Sequence, residues 1–317
     1  MKPSPSISIC IPAFKHVDYL ERLLESIIKQ TYKDYEIVIT DDSPDNSVAD
    51  LVEKYKSKIE IRYYKNKQPL GTPENWNEGI RRAHGTWIKL MHDDDWFVDE
   101  NSLQNFYDAT CEHPYCSFFF SAYNNVEDNS GTVKSVSLKP FGHFLLSLSP
   151  LNLFKNQYVG NPSCTLIKKE LDVWYDKDFK WVVDFEYYIR CLKLTKKFFY
   201  INKVLINVGI NDQQVTKYTF RKWEVEIPEN HLMIEKSGYS ILRNIFVYDY
   251  YWRLYRNLGV KKTSEVNEYY KKTLHPLLRQ MIYFQNKILV GVLKTGVFSK
   301  MFMSISYLFS LSKKTKK

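Results

Sequence analysis

Two short strand-type runs, Ser6-Ile7-Ser8-Ile9-Cys10-Ile11 halted by Pro12 and Glu36-Ile37-Val38-Ile39-Thr40, stand on either side of one amphipathic helix. The helix signal is Leu20, Leu23, Leu24, Ile27 and Ile28 at i, i+3, i+4, i+7 and i+8, with Asp18 placed to cap it and Glu21 three residues on. Strand, helix and strand in this order imply a parallel pair joined by a right-handed crossover, with the helix lying on the sheet. Such a beginning excludes an all-helical or all-β chain.

The pattern then repeats. A helix should run from near Asn46 to Tyr55 with Leu51, Val52 and Tyr55 inward, and Ile59–Tyr64 alternates as a third strand. The loop Gln68–Pro73 feeds a helix over Glu74–Ala83, and Gly85 separates it from a fourth strand, Thr86–Met91. Acidic clusters follow two of these strands: Asp41-Asp42-Ser43-Pro44-Asp45 after the second, and His92-Asp93-Asp94-Asp95-Trp96 after the fourth. Neighbouring parallel strands end on one edge of the sheet, where open α/β sheets bind ligands. Three adjacent carboxylates each raise the cost of ionising the next, so a cation is the natural companion. Hard oxygen donors suit Mg²⁺ or Mn²⁺ carrying phosphates. Alone, the run reads equally as an acidic turn capping the next helix; convergence with Asp41 and Asp42 favours the ligand site.

Further along, Leu103–Cys111 reads as a helix, Cys116–Ala122 as a buried strand and Glu127–Gly131 as a turn between extended pieces. Val136–Gly160, with Pro140, Gly142 and Pro150, has no clean period. Asn161–Ile167 resumes a strand, and Phe198–Ile201 and Val204–Val208 read as closing strands.

The 317 residues suffice for one large domain or two smaller ones. A 44% hydrophobic content with 24 Tyr and 19 Phe excludes a disordered chain. Met1–Ser6, with one Lys and two Pro, does not read as a secretory leader, and no stretch approaches a membrane span. The five cysteines form no CxxC pair and read as reduced, buried thiols of a cytoplasmic protein. The net charge of +9 is uneven: Arg221–Lys317 holds 18 Lys and Arg against 7 Asp and Glu, which leaves the remainder at −2. This asymmetry implies two units, residues 1–220 and a basic, mainly helical 221–317. In the latter, Ile241–Leu258 and Ser264–Tyr283 read as long helical stretches. Lys294–Lys317 sets Val297, Phe298, Met301, Phe302, Ile305, Leu308 and Phe309 on one face ahead of Lys313, Lys314, Lys316 and Lys317. That is the pattern of a helix lying on an anionic membrane, at the inner face of the cell membrane, or equally of a packed helix with a solvated basic tail.

Several spaced motifs resemble glycosyltransferase family 2, of the GT-A fold: Ser8-Ile9-Cys10-Ile11-Pro12-Ala13-Phe14, Gln30-Thr31-Tyr32 before Tyr35–Ile39, Asp41-Asp42-Ser43, Gly71 with Asn75–Gly79, Ala83-His84-Gly85 and His92–Trp96. The resemblance covers about residues 6–216. It implies a Rossmann-like, mostly parallel sheet flanked by helices, and an inverting, metal-dependent transfer of sugar from a nucleotide-diphosphate donor, UDP-linked by expectation. The acceptor would be a hydroxyl of a glycan or a lipid-linked glycan in surface polysaccharide synthesis.

By the same resemblance, Asp42 accepts the N3–H of the base, with Pro12 and Phe14 lining it. Asp93 lies beside the ribose, and Asp94, with Asp95, holds Mg²⁺ or Mn²⁺. His92 stands where the family's first Asp is common. Asp184, in Lys180-Trp181-Val182-Val183-Asp184-Phe185-Glu186, matches the catalytic base, and Val183 replaces the usual preceding Glu. Partial burial beside Trp181 and Phe185 would raise its pKa toward useful basicity. The bland role for Asp184 is a helix N-cap, and for Glu186 a surface cap or pair. Gly209-Ile210-Asn211 before Gln214-Val215-Thr216 places Asn211 where relatives carry a His. Two other classes compete. A nucleotidyltransferase would need a glycine-rich basic loop after the first strand, which Pro12–His16 lacks. A catalytically silent scaffold, or a nucleic-acid binder driven by the basic third, is the remaining one; no nucleic-acid partner is expected.

Overall fold

The computed structural model describes residues 4–211 and 221–312. Gln214-Val215-Thr216 and Lys313–Lys317 lie outside them. The chain forms two compact units, one of Met1–Ser147 with Tyr158–Gln213 and the other of Leu148–Gln157 with Gln214–Lys317. The short piece 148–157 thus joins the second unit, which the charge asymmetry alone did not indicate.

In the first unit β1 (Ile7–Ala13) pairs in parallel with β2 (Tyr35–Asp41) on one side and β4 (Trp87–Leu90) on the other, and β2 pairs in parallel with β3 (Ile61–Lys65). The crossovers are α1 (Val17–Ile28), α2 (Ser47–Tyr55) and α3 (Glu74–Arg82). Helix α1 buries Leu20, Leu23, Leu24 and Ile27 against Ile7, Ile9, Ile11, Ile37 and Ile39. Each such side chain contributes roughly 1.5–3 kcal/mol of transfer free energy. Asp18 is not the cap: the helix begins at Val17 and its N-cap, His16, makes no side-chain bond, so Asp18 lies in the first turn, where its charge still favours the helix dipole. On the opposite face α3 comes close enough that a Cβ on Gly79 would touch Cys10 and Thr40.

The sheet continues in the order β3-β2-β1-β4-β8-β6-β9-β5, with β7 paired to β6. These further strands are β5 (Trp96–Phe97), β6 (Phe118–Glu127), β7 (Val133–Val136), β8 (Thr165–Lys168) and β9 (Phe199–Ile210). Strand β8 is antiparallel to both β4 and β6, while β6 and β9 are parallel. Phe198–Ile201 and Val204–Val208 are therefore one strand, interrupted by an irregularity opposite Ser121 and Ala122. Helices α4 (Ser102–Glu112) and α6 (Val183–Thr195) also belong to this unit. The aperiodic stretch folds as α5 (Pro140–Leu148) and a 3₁₀ turn, Pro150–Phe154. All five cysteines are free; Cys111, unlike the other four, is exposed.

The second unit is helical: α7 (Trp223–Ser237), α8 (Ile245–Leu258), α9 (Thr263–Tyr270), α10 (Pro276–Gln285), α11 (Val290–Lys294) and α12 (Gly296–Ser312). The expected helix over Ser264–Tyr283 is two. It stops at Lys271, which adopts a left-handed conformation, and restarts at Pro276, where a missing N–H costs nothing. Among the described residues no helix is long and apolar enough to cross a membrane.

Candidate active site

Because β2, β1 and β4 are adjacent and parallel, the segments leaving their carboxyl ends share one edge of the sheet. Asp41 and Asp42 leave β2, Pro12 to Phe14 end β1, and His92 to Asp95 leave β4. Pro12 is half-buried, whereas the Phe14 ring is exposed at the rim. The backbone of Phe14 lies near enough to the Asp93 carboxylate to favour its charged form, so the ends of β1 and β4 are neighbours.

The three carboxylates are not equivalent. Asp95 is fully buried and anchored: Asn161 Nδ2 donates to its Oδ2 at 2.7 Å and the Gly209 N–H to its Oδ1 at 3.1 Å. Asp94 is partly exposed, and Asn211 Nδ2 donates to its Oδ2 at 3.0 Å. Asp93 is half-buried. Burial first, and the Asp94 charge second, push Asp93 up to about 8 and hold Asp95 well above the usual carboxylate range. At neutral pH the cluster thus resists carrying its full charge, the situation a bound cation relieves.

One ligand atom each from His92, Asp94 and Asp95 lie within 4.8 Å of one another. A divalent ion with bonds of about 2.1 Å needs its ligand atoms about 3–4 Å apart, so side-chain shifts of about 1–2 Å would close the site. His92 is consistent with that use. Its Nδ1 is 4.0 Å from Asp95 Oδ2, its buried Nε2 has no hydrogen-bond partner, and burial keeps the ring's pKa low, leaving a lone pair to donate. The two carboxylates with one imidazole fit Mn²⁺ well and Mg²⁺ through the oxygens.

Asp42 is buried and both its oxygens are engaged. Asn66 Nδ2 and the Leu70 N–H donate to Oδ1 at 2.8 and 3.0 Å, and the Gly71 N–H to Oδ2 at 2.8 Å. Its first structural task is to fold the 66–71 loop over this edge. A carboxylate offers about four acceptor directions, so one remains for a ligand. Asp41 is spent on Ser43 N–H, the Tyr63 hydroxyl and Lys65.

Asp184 lies in the first turn of α6, one residue inside the helix, whose N-cap is Val182; it is not the cap. It is half-buried, accepts the Phe185 N–H at 2.7 Å, and burial raises it to about 6. Its charge is felt by Tyr123, Tyr175 and Tyr188. Trp76 stands edge-on to Tyr175 at 5.1 Å and tilts over the His92 ring at 4.8 Å, so an aromatic wall connects the surroundings of Asp184 to the acidic turn. Glu186 is buried rather than on the surface. It clamps Arg190 through two bonds of 2.6 and 2.7 Å, and Arg190 also donates to the Trp174 carbonyl, which fixes the approach to α6.

Residues 8–173, just over half of the chain, match the model for Glycosyl transferase family 2. The chain belongs to that family. An uncharacterized glycosyltransferase of Rickettsia typhi is 25% identical over 231 residues, covering 70% of this chain and 69% of the relative. Among solved structures, S. aureus TarS in complex with UDP-GlcNAc superposes with a TM-score of 0.64 at 16% identity, over 89% of this chain and 92% of that one. The mannosyltransferase PcManGT from Pyrobaculum calidifontis, in complex with GDP-Man and Mn²⁺, gives 0.57 at 12% identity, over 99% and 89%. At these identities the two structures establish the GT-A fold.

In this family 2 glycosyltransferase several residues that shape the acidic edge carried no sequence signal of their own. Lys89 sits in the middle of β4 and is fully buried, with its Nζ on the Ser163 and Thr165 carbonyls, the latter at 3.2 Å. Burial lowers it to about 7, against the pull of Asp95. Ser163 Oγ in turn accepts the His92 N–H at 2.9 Å. Asn161 to Ser163 is thus a strap that ties the acidic turn from beneath. Arg22 of α1 secures it from the side: it stacks on Trp96, donates to the Asp94 carbonyl at 2.8 Å, and pairs with Asp128 at 3.2 Å. The glycosyltransferase motifs read in the sequence have equally local tasks. Gln30 bonds the Asp99 carbonyl and the Leu103 N–H, joining α1 to the start of α4. Gly85 passes so close to Ser8 that a Cβ there would clash with its backbone.

Proposed function

We propose that this chain transfers a sugar, with inversion, from a nucleoside diphosphate donor to a hydroxyl of a glycan or lipid-linked acceptor. What carries the reading is the pairing of an undercharged acidic cluster at the ends of β4 and β2 with a separate half-buried carboxylate, Asp184, whose pKa of about 6 suits a general base at neutral pH. UDP is the preferred donor nucleotide, a choice supported by the UDP-GlcNAc bound to TarS. A role in surface polysaccharide synthesis, on the cytoplasmic side of the cell, follows from the same reading.

In this account Phe14 and Pro12 flank the base and the free acceptor direction of Asp42 receives its N3–H. Asp93 hydrogen-bonds the ribose. Asp94 and Asp95, with His92, hold the divalent ion. That ion, when bound, supplies Lewis-acid neutralisation of the diphosphate leaving group. Asp184 takes the proton of the acceptor hydroxyl as that oxygen attacks the anomeric carbon from the face opposite the diphosphate. Trp76 and Tyr175 exclude water between the two sides. Loss of such a base costs about 10²–10⁴-fold in rate.

A thermal-shift panel of nucleotide sugars with and without Mn²⁺ tests the assignment, since only true ligands stabilise the fold. A shift with UDP-sugars that needs Mn²⁺ is expected. Equal response to every nucleotide, or none to any, would reject it.

A further inference from the structure

Helix α12 is turned inside out. Its buried positions are Ser299, Met303, Ser306 and Ser310, at i, i+4, i+7 and i+11, one stripe of a helix and three-quarters serine. The serines are held by polar partners of α8: Trp252 Nε1 and Arg256 Nη1 each donate to Ser299 Oγ at 3.0 Å, and the Tyr248 hydroxyl bonds Ser306 Oγ at 2.7 Å. The opposite stripe is apolar and faces outward, with Val297 80%, Phe298 52%, Leu308 64% and Phe309 57% exposed, and Met301, Ile305 and Leu311 exposed beside them. Leu289 and Val290, just before the helix, are exposed as well. A patch of this kind is well beyond the scattered apolar residues of an ordinary surface.

We propose that this stripe of α12 is a docking face for an anionic lipid surface. The charge identifies the occupant. From Tyr269 to Lys317 the chain has ten Lys and Arg and no Asp or Glu. Lys294, at the end of α11, and Lys300, near the start of α12, lie exposed, and Lys313, Lys314, Lys316 and Lys317 follow in the sequence. A second copy meeting this face about a two-fold axis would oppose like charges. A surface that is both apolar and negative satisfies the stripe and the lysines together. The 17-residue helix is about 25 Å long, too short to span a bilayer and suited to lying in its plane. This inference concerns the second unit and does not rest on the donor chemistry proposed above; its test has no activity readout.

Co-sedimentation of the full chain with phosphatidylcholine vesicles, with and without about a third phosphatidylglycerol, is the experiment. Binding to the anionic vesicles alone, weakened by salt, is expected. The joint substitutions Val297→Ser, Phe298→Ser and Leu308→Ser should reduce it at least tenfold without lowering the melting temperature, because all three side chains are exposed. Alanine at the four terminal lysines should reduce it several-fold. An environment-sensitive dye on Leu308→Cys should shift to the blue on anionic vesicles, which gives a reading even if the joint variant folds poorly. Wild-type protein left in the supernatant, binding indifferent to the joint substitutions, an unshifted dye, or a dimer abolished by those substitutions in a protein that ignores vesicles would each overturn the proposal.

Discussion

The backbone of Gly209 donates to Asp95 Oδ1 at 3.1 Å while its α-carbon lies against the Asp94 carbonyl oxygen so tightly that no Cβ fits between them. Strand β9 thereby sets the position of an acidic turn more than a hundred residues earlier in the chain. Gly209→Ala should push the turn away and lower Mn²⁺ and UDP affinity at least tenfold, read by calorimetry, while Gly131→Ala, in a turn with nothing nearby, leaves affinity unchanged.

Asp184 predicts the acid limb of activity. A general base works in its ionised form, so with the carboxyl raised to about 6 the rate should fall as pH drops through that value. The profile of kcat against pH at saturating donor measures this. A limb near pH 4 would mean that Asp184 is not the titrating group.

Lys89 predicts stability. Lys89→Met keeps the length of the side chain but strips a donor from the Ser163 and Thr165 carbonyls, both buried. Each unmet acceptor costs about 1–3 kcal/mol, so urea unfolding should show a loss of several kcal/mol. Loosening of the strap under His92 should also weaken metal binding.

His231 predicts the pH response of the second unit. It is fully buried, with Nε2 on the Tyr255 hydroxyl at 3.1 Å, and burial lowers it to about 4. The folded state therefore keeps the ring neutral while the unfolded chain takes up a proton below about 6.5. Stability is present in full above 6.5 and is lost as pH falls toward 4, by up to about 3 kcal/mol. His231→Gln should remove that part of the acid-side loss, seen as a smaller difference between melting curves at pH 7 and pH 4.5.

The βαβ start and the shared edge of β1, β2 and β4 were legible because alternation and helical period act within a dozen residues. Which carboxylate is anchored was not, since the partners that hold Asp95 lie at Asn161 and Gly209, far along the chain. Asp42 as an open acceptor was equally opaque, for its three donors come from a loop that only the fold brings back. For helix α12 the sequence left two roles open, a membrane face or a packed helix, because periodicity finds an apolar face but not which face turns inward when serines have buried hydroxyl and indole partners.

The most direct test separates the two sides of the site by calorimetry with UDP and Mn²⁺ and by donor turnover, on Asp94→Asn and Asp184→Asn. Asp94→Asn should lose Mn²⁺-dependent UDP binding and turnover together. Asp184→Asn should bind UDP as the wild type does while turnover falls at least a hundredfold. UDP binding indifferent to Mn²⁺ and to Asp94→Asn, or wild-type turnover by Asp184→Asn, would contradict the account.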